Sequence, residues 1–150
     1  MLDKQTAEEI CKRDFMDIKP DLRPGVAQLL NNHHAYLDTL PFAVFCERAI
    51  NLICADPPMI DEGELFHDLL NNGLICWTLD QKGSNAAAVV SAPWDSRSWE
   101  AQPWFLRKWW ILVGGTEGEM YQQTIWWREM RGESTADLLP NAEPVGLHVY

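Results

Sequence analysis

All eight tryptophans of this chain lie between Trp77 and Trp127, and four of them form the adjacent pairs Trp109-Trp110 and Trp126-Trp127. Neighbouring residues on a strand face opposite sides of a sheet. Read as strands, each pair gives one ring to the core and leaves the other on the outer face. The pattern around them supports strands. Leu74–Asp80 sets Ile75, Trp77 and Leu79 on one side, the alternation of a sheet with one dry face. Gln81–Asn85 has turn chemistry around Lys82-Gly83-Ser84, and Ala86–Ala92 reads as a second strand. Pro93–Pro103, with Trp94 and Trp99 among polar residues, reads as an ordered loop or a short helical turn. Trp104–Val113 and Met120–Met130 are two further β-rich runs, joined by a segment containing Gly114, Gly115 and Gly118 that suits a hairpin. A helix from Glu117 to Arg131 is the competing reading. Val145–Tyr150 adds a short edge strand.

Before Gly73 the periodicity is helical. Thr6 followed by Glu9 is a capping box that opens a helix running to about Ile18. Pro24 fits the first turn of a second helix, with Val26, Leu29, Leu30, Ala35 and Leu37 as its apolar positions. Thr39 caps a third, with Pro41 in its first turn and a buried stripe of Phe42, Phe45, Ala49, Ile50 and Ile53. Asp56-Pro57-Pro58 breaks the chain. Asp61 and Glu64 open a fourth helix, whose apolar face is Leu65, Phe66, Leu69 and Leu70 and which Asn71-Asn72-Gly73 ends through a left-handed glycine. The expected fold is α+β in one domain over 1–150: about four N-terminal helices, 1–72, packed on a C-terminal antiparallel β-meander, 73–150.

At 150 residues, a chain buries roughly 70% of its unfolded surface and needs no staples. The cysteines, Cys11, Cys46, Cys54 and Cys76, include no Cys-x-x-Cys pair, and the first ten residues have no apolar leader. Both point to reduced thiols and a cytoplasmic protein. The longest apolar runs are strand-sized, so no membrane span is expected. The net charge is −10, with 13 acids against 6 bases in residues 1–75 and 9 against 6 in the remainder. Such a surface repels nucleic-acid phosphates and attracts basic proteins.

No motif declares a catalytic activity, and no cofactor is indicated. Glu64 and His67 share a helix face, but di-iron bundles need two such pairs and more glutamates. His33 and His34 diverge on a helix, so His34 with Asp38 is the better-spaced metal pair, and it is a weak signal. The glycines of 114–118 match neither a dinucleotide fingerprint nor a P-loop. The informative feature is the alternation of Arg107, Lys108, Arg128 and Arg131 with tryptophans. Tryptophan and arginine are the residues most enriched at interface hot spots.

The leading expectation is a small acidic binding protein that occludes a basic surface of another protein, as inhibitors, immunity proteins and phage or mobile-element accessory proteins do. Trp110 and Trp126 would be its anchors, with Arg107 and Arg128 beside them, and Asp61, Glu62 and Glu64 would steer the partner. Two readings compete with it. One is a small enzyme assembled from residues remote in sequence, with His34, Cys46, Glu64 and His67 as first suspects. The other is an assembly component whose tryptophans are buried between copies of the chain.

Overall fold

The structure, a computed structural model, describes residues 2–77 and 92–141. Seven α-helices and one two-stranded sheet occur among them. The helices are α1 (Lys4–Arg13), α2 (Val26–Leu30), α3 (Ala43–Ile53), α4 (Glu62–Leu70), α5 (Pro103–Lys108), α6 (Trp110–Val113) and α7 (Glu119–Met130). The strands β1 (Leu74–Cys76) and β2 (Trp99–Ala101) pair antiparallel, Ile75 opposite Glu100. The expected meander is therefore wrong: both of the last two β-rich runs are helical. The second strand and turn at 81–91, and the edge strand at 145–150, fall outside the described residues.

Why those runs coil rather than extend is visible in their burial. Phe105, Leu106, Trp109, Leu112 and Val113 are buried, a helical spacing that the apolar residues at nearly every other position conceal. Pro103 occupies the first turn of α5, where its missing N–H costs nothing. Met120, Tyr121 and Thr124 are buried on α7, again at helical intervals. Their β-favouring side chains express a preference for half-buried surfaces more than a backbone rule. Gly114, left-handed at φ 87°, closes α6 and turns the chain toward α7 instead of forming a hairpin.

The N-terminal helices exist, with shifted limits. Asp3, not Thr6, caps α1: its carboxylate accepts the Thr6 amide at 2.8 Å. The helix stops at Arg13 rather than Ile18, because the Arg23 guanidinium takes the carbonyls of Met16 and Ile18, each at 3.0 Å. The second predicted helix divides into α2 and a 3₁₀ turn, Ala35–Thr39. Thr39 donates its hydroxyl to the Tyr36 carbonyl within that turn, so it does not cap α3, which starts four residues later at Ala43. Phe42, Phe45, Ala49 and Ile50 bury as expected. Asp61 does cap α4, accepting the Glu64 amide at 3.1 Å.

One hydrophobic core runs from Ala27 on α2 to Leu138 near the end of the described chain. Its centre is tied together by Asp68 on α4. The Trp109 indole N–H donates to Asp68 Oδ2 at 3.0 Å, and Lys108 Nζ lies 2.7 Å from the same oxygen. The Asp68 carbonyl takes the Gly73 amide, and the Gly73 carbonyl takes the Gln102 amide. α7 is fastened by Thr124, whose hydroxyl accepts the Ala101 amide and donates to the Met120 carbonyl.

Gly73 does not supply the left-handed residue that ends α4; Asn72 does, at φ 61°. What excludes a side chain at 73 is close approach: a Cβ would overlap the Phe105 ring and stand 2.8 Å from the Asp68 carbonyl oxygen. Gly73→Ala should therefore cost about 3 kcal/mol by overpacking, read as a fall of roughly 10 °C in thermal midpoint. An unchanged midpoint would mean that the ring and carbonyl relax at no cost.

Candidate functional site

Glu62 opens the first turn of α4, beside a 3₁₀ turn that carries Tyr36. The three-residue and four-residue intervals of α4 sort its apolar doublets onto two stripes. Leu65 is buried and Leu69 packs on the core, whereas Phe66 and Leu70 project outward on the same side as Glu62. His34, Tyr36, Glu62, Gly63 and Phe66 line a cavity of about 260 Å³. The Tyr36 and Phe66 rings lie 4.9 Å apart, tilted by 50°. His34 Nδ1 is 2.7 Å from Glu62 Oε1, and the Tyr36 hydroxyl donates weakly to the same atom at 3.4 Å. Burial, with the Glu62 charge behind it, pushes the Tyr36 phenol well above its ordinary range and keeps it protonated.

A second histidine holds the turn in place. The His33 ring faces the Asn31 carbonyl through Nδ1 at 2.8 Å and Asp38 Oδ1 through Nε2 at 2.7 Å. Both neighbours accept, so the ring donates from both nitrogens when it is charged. Gln28 donates to the same Asp38 oxygen at 2.8 Å. Burial lowers the His33 pKa, but the Asn31 and Asp38 bonds and the Glu62 charge outweigh it, and the net direction is upward from 6.5. Asp38 thus belongs to His33, and His34 to Glu62, which separates His34 from Asp38, the pair that the sequence offered only as a weak metal signal.

The other suspected residues also take separate partners. Glu64 meets Lys108 at 2.6 Å, while His67 bonds Asn71. Cys46 is buried, and desolvation, reinforced by the Asp38 charge and opposed by a backbone hydrogen bond of Phe42, pushes its thiol up to about 12. A thiol so held is a hydrophobe rather than a nucleophile. His34, Cys46, Glu64 and His67 thus have separate surroundings rather than one shared cluster.

The predicted anchors separate as well. Trp110 is half-buried, its ring edge-on to the buried Tyr121 at 5.5 Å. Trp126 is 43% exposed on α7. Arg107 and Arg128 are engaged internally: Arg107 donates to the Asp137 carbonyl, and Arg128 to the Ser134 carbonyl and Asp137 carboxylate, fastening residues 134–137. Basic side chains do cover rings elsewhere, Lys108 over Trp109 at 5.4 Å and Arg131 over Trp77 at 5.8 Å.

Around Trp126 there is a ridge that strand-based reasoning missed. Trp126 stands edge-on to Trp127 at 5.0 Å, and Trp127 lies 6.0 Å from Trp77, which is 39% exposed. Met130, one turn beyond Trp126, is also exposed. The Trp77 indole N–H donates to Glu100 Oε2 at 2.8 Å, and Glu100 also receives both terminal nitrogens of Arg131. The Trp127 indole nitrogen is buried with no acceptor among the described residues. The helical i, i+4 spacing of Trp126 and Met130 was the available signal.

This is a small helical domain with an aromatic pocket at one helix start and a tryptophan ridge on its last described α-helix. The chain belongs to the family described as Domain of unknown function (DUF3425), whose model matches residues 4–121. That match takes in the pocket and Asp68, and it ends within α7 before Trp126. No curated protein and no solved structure matches the chain.

The His33 clamp has a signed pH dependence. Because its folded pKa is raised, its stabilisation is fully present below the unfolded value near 6.5 and is lost as pH rises through the higher folded value. Urea unfolding from pH 5.5 to 8 should show that loss in the wild type. The slope should flatten in His33→Gln, and a slope unchanged by the substitution would remove His33 as its source.

Proposed function

We propose that this chain is a cytoplasmic protein-binding domain that occludes a basic surface of another protein, with the Trp77–Trp126–Trp127 ridge as its anchoring face. One observation carries the reading: of the eight tryptophans only Trp109 is buried, and Trp77, Trp94, Trp104 and Trp126 are each more than a third exposed. Indole surface left in water at several places is costly for a monomer and marks interaction sites. The net charge of −10 supports a basic partner and fast electrostatic encounter. The four free thiols, Cys54 exposed among them, suit a reducing compartment. No helix among the described residues is long and apolar enough to cross a membrane.

Occlusion needs shape, a few aromatic anchors and complementary charge, and it needs no catalytic group. Affinity purification from the native host should recover one basic protein in stoichiometric amount. Trp126→Ala should stay folded, because the residue is 43% exposed and lies outside the buried core, and should weaken that complex by about 2 kcal/mol, or roughly thirtyfold, through faster dissociation. Sedimentation that shows only copies of the chain bound to each other would favour the assembly reading. A folded Trp126→Ala variant with full affinity for the partner would remove the ridge as the binding face.

A further inference from the structure

Tyr36, Phe66 and Glu62 together make a cation site in miniature. Two aromatic rings 4.9 Å apart form the wall, and Phe66 is 42% exposed, so the site is open to solvent. Ring faces attract ammonium and guanidinium groups. The carboxylate supplies the charge. Its Oε1 is occupied by His34 and Tyr36, while Oε2 has no hydrogen-bond partner among the described residues. The cavity, about 260 Å³, is smaller than typical ligand pockets, which suits one side chain rather than a metabolite.

The helix start might be expected to draw an anion, since the first amides of α4 carry partial positive charge. Here that charge is already answered. Asp61 accepts the Glu64 amide, and Asp61, Glu62 and Glu64 place three carboxylates within the cap and first turn. Lys108 neutralises Glu64 on the side toward Asp68, and Glu62 remains as the one carboxylate among the residues that line the cavity.

We propose that this pocket takes one lysine or arginine side chain of the protein partner, its alkyl stem lying against the wall made by the packed Tyr36 and Phe66 rings and its cationic head on Glu62 Oε2. The inference rests on the basic-partner reading above and adds the chemistry by which the partner is recognised. It also assigns Glu62 a contact role instead of distant steering.

The probes are short capped peptides of identical sequence carrying a central lysine, arginine or acetyl-lysine, titrated into isotope-labelled protein and followed by NMR. The lysine and arginine peptides should shift the Gly63 amide and the Tyr36 and Phe66 ring signals, saturating in the millimolar range, and acetyl-lysine should not. Glu62→Gln preserves shape and should weaken the cationic peptides by about fivefold or more. Phe66→Leu, at a solvent-facing position, should weaken them too. Equal shifts from acetyl-lysine, unchanged affinity in Glu62→Gln, or shifts that map to α7 instead would overturn the pocket. Against the intact partner the two readings separate. Loss of affinity in Trp126→Ala with none in Glu62→Gln refutes the pocket and keeps the ridge. The reverse pattern keeps the pocket and refutes the ridge, and no loss in either refutes both.

Discussion

Asp68 is a carboxylate almost removed from water, and the centre of the molecule is arranged around keeping it charged. Burial alone would raise its pKa; the bonds from Lys108 and Trp109 reverse that and hold it below the usual carboxylate range. Removing a partner from a buried charged group costs far more than the group contributes when satisfied. The carboxylate, its own carbonyl and Gly73 therefore specify how α4, β1 and the α5–α6 joint meet. Trp109 departs from helical geometry at the joint, at φ −102° and ψ 26°, where one apolar run becomes two short helices. Two further contacts flank that joint: α6 against α3, where Arg48 donates to the Ile111 carbonyl, and α7 against β2 through Thr124.

The legible part of the fold was the part written by local chemistry. Asp61 as a cap, the proline break after Asp56 and the stripe of α3 are short-range signals, and each has its counterpart in the structure. The C-terminal half fails that treatment because its information is tertiary. In Trp104–Val113 nearly every position is apolar, so period 2 and period 3.6 fit about equally well, and only contact with Asp68 and α3 chooses between them. In α7 the residues that favour strands, Tyr121, Thr124 and Ile125, are placed by packing against β2. A helix over 117–131 competes with the strand reading, and the capping position of Gly118 with Glu119 after it is the clue in its favour.

For the candidate sites the difference is similar. Glu62 stands out in the sequence for its charge, but its neighbours Tyr36 and Phe66 read there as parts of a helix and of a buried face. Nothing local says that residues 26 positions apart, Tyr36 and Glu62, share an oxygen. The arginines near the tryptophans suggested interface chemistry, yet Arg107 and Arg128 spend their donors on the segment that follows α7. Trp126 remains on the outside for a reason other than strand alternation. Successive helical residues diverge by about 100°, and this alone splits an adjacent pair between interior and water.

The uneven burial of the indoles governs how this molecule can be observed. A protein with its tryptophans in the core announces unfolding by a change in fluorescence, because the rings go from oil to water. Here much of the indole population is already wet, and the one buried ring, Trp109, is bonded to a carboxylate and covered by an ammonium. Native emission is thus dominated by the periphery. Light from this chain reports what lands on its surface more faithfully than whether its interior is intact.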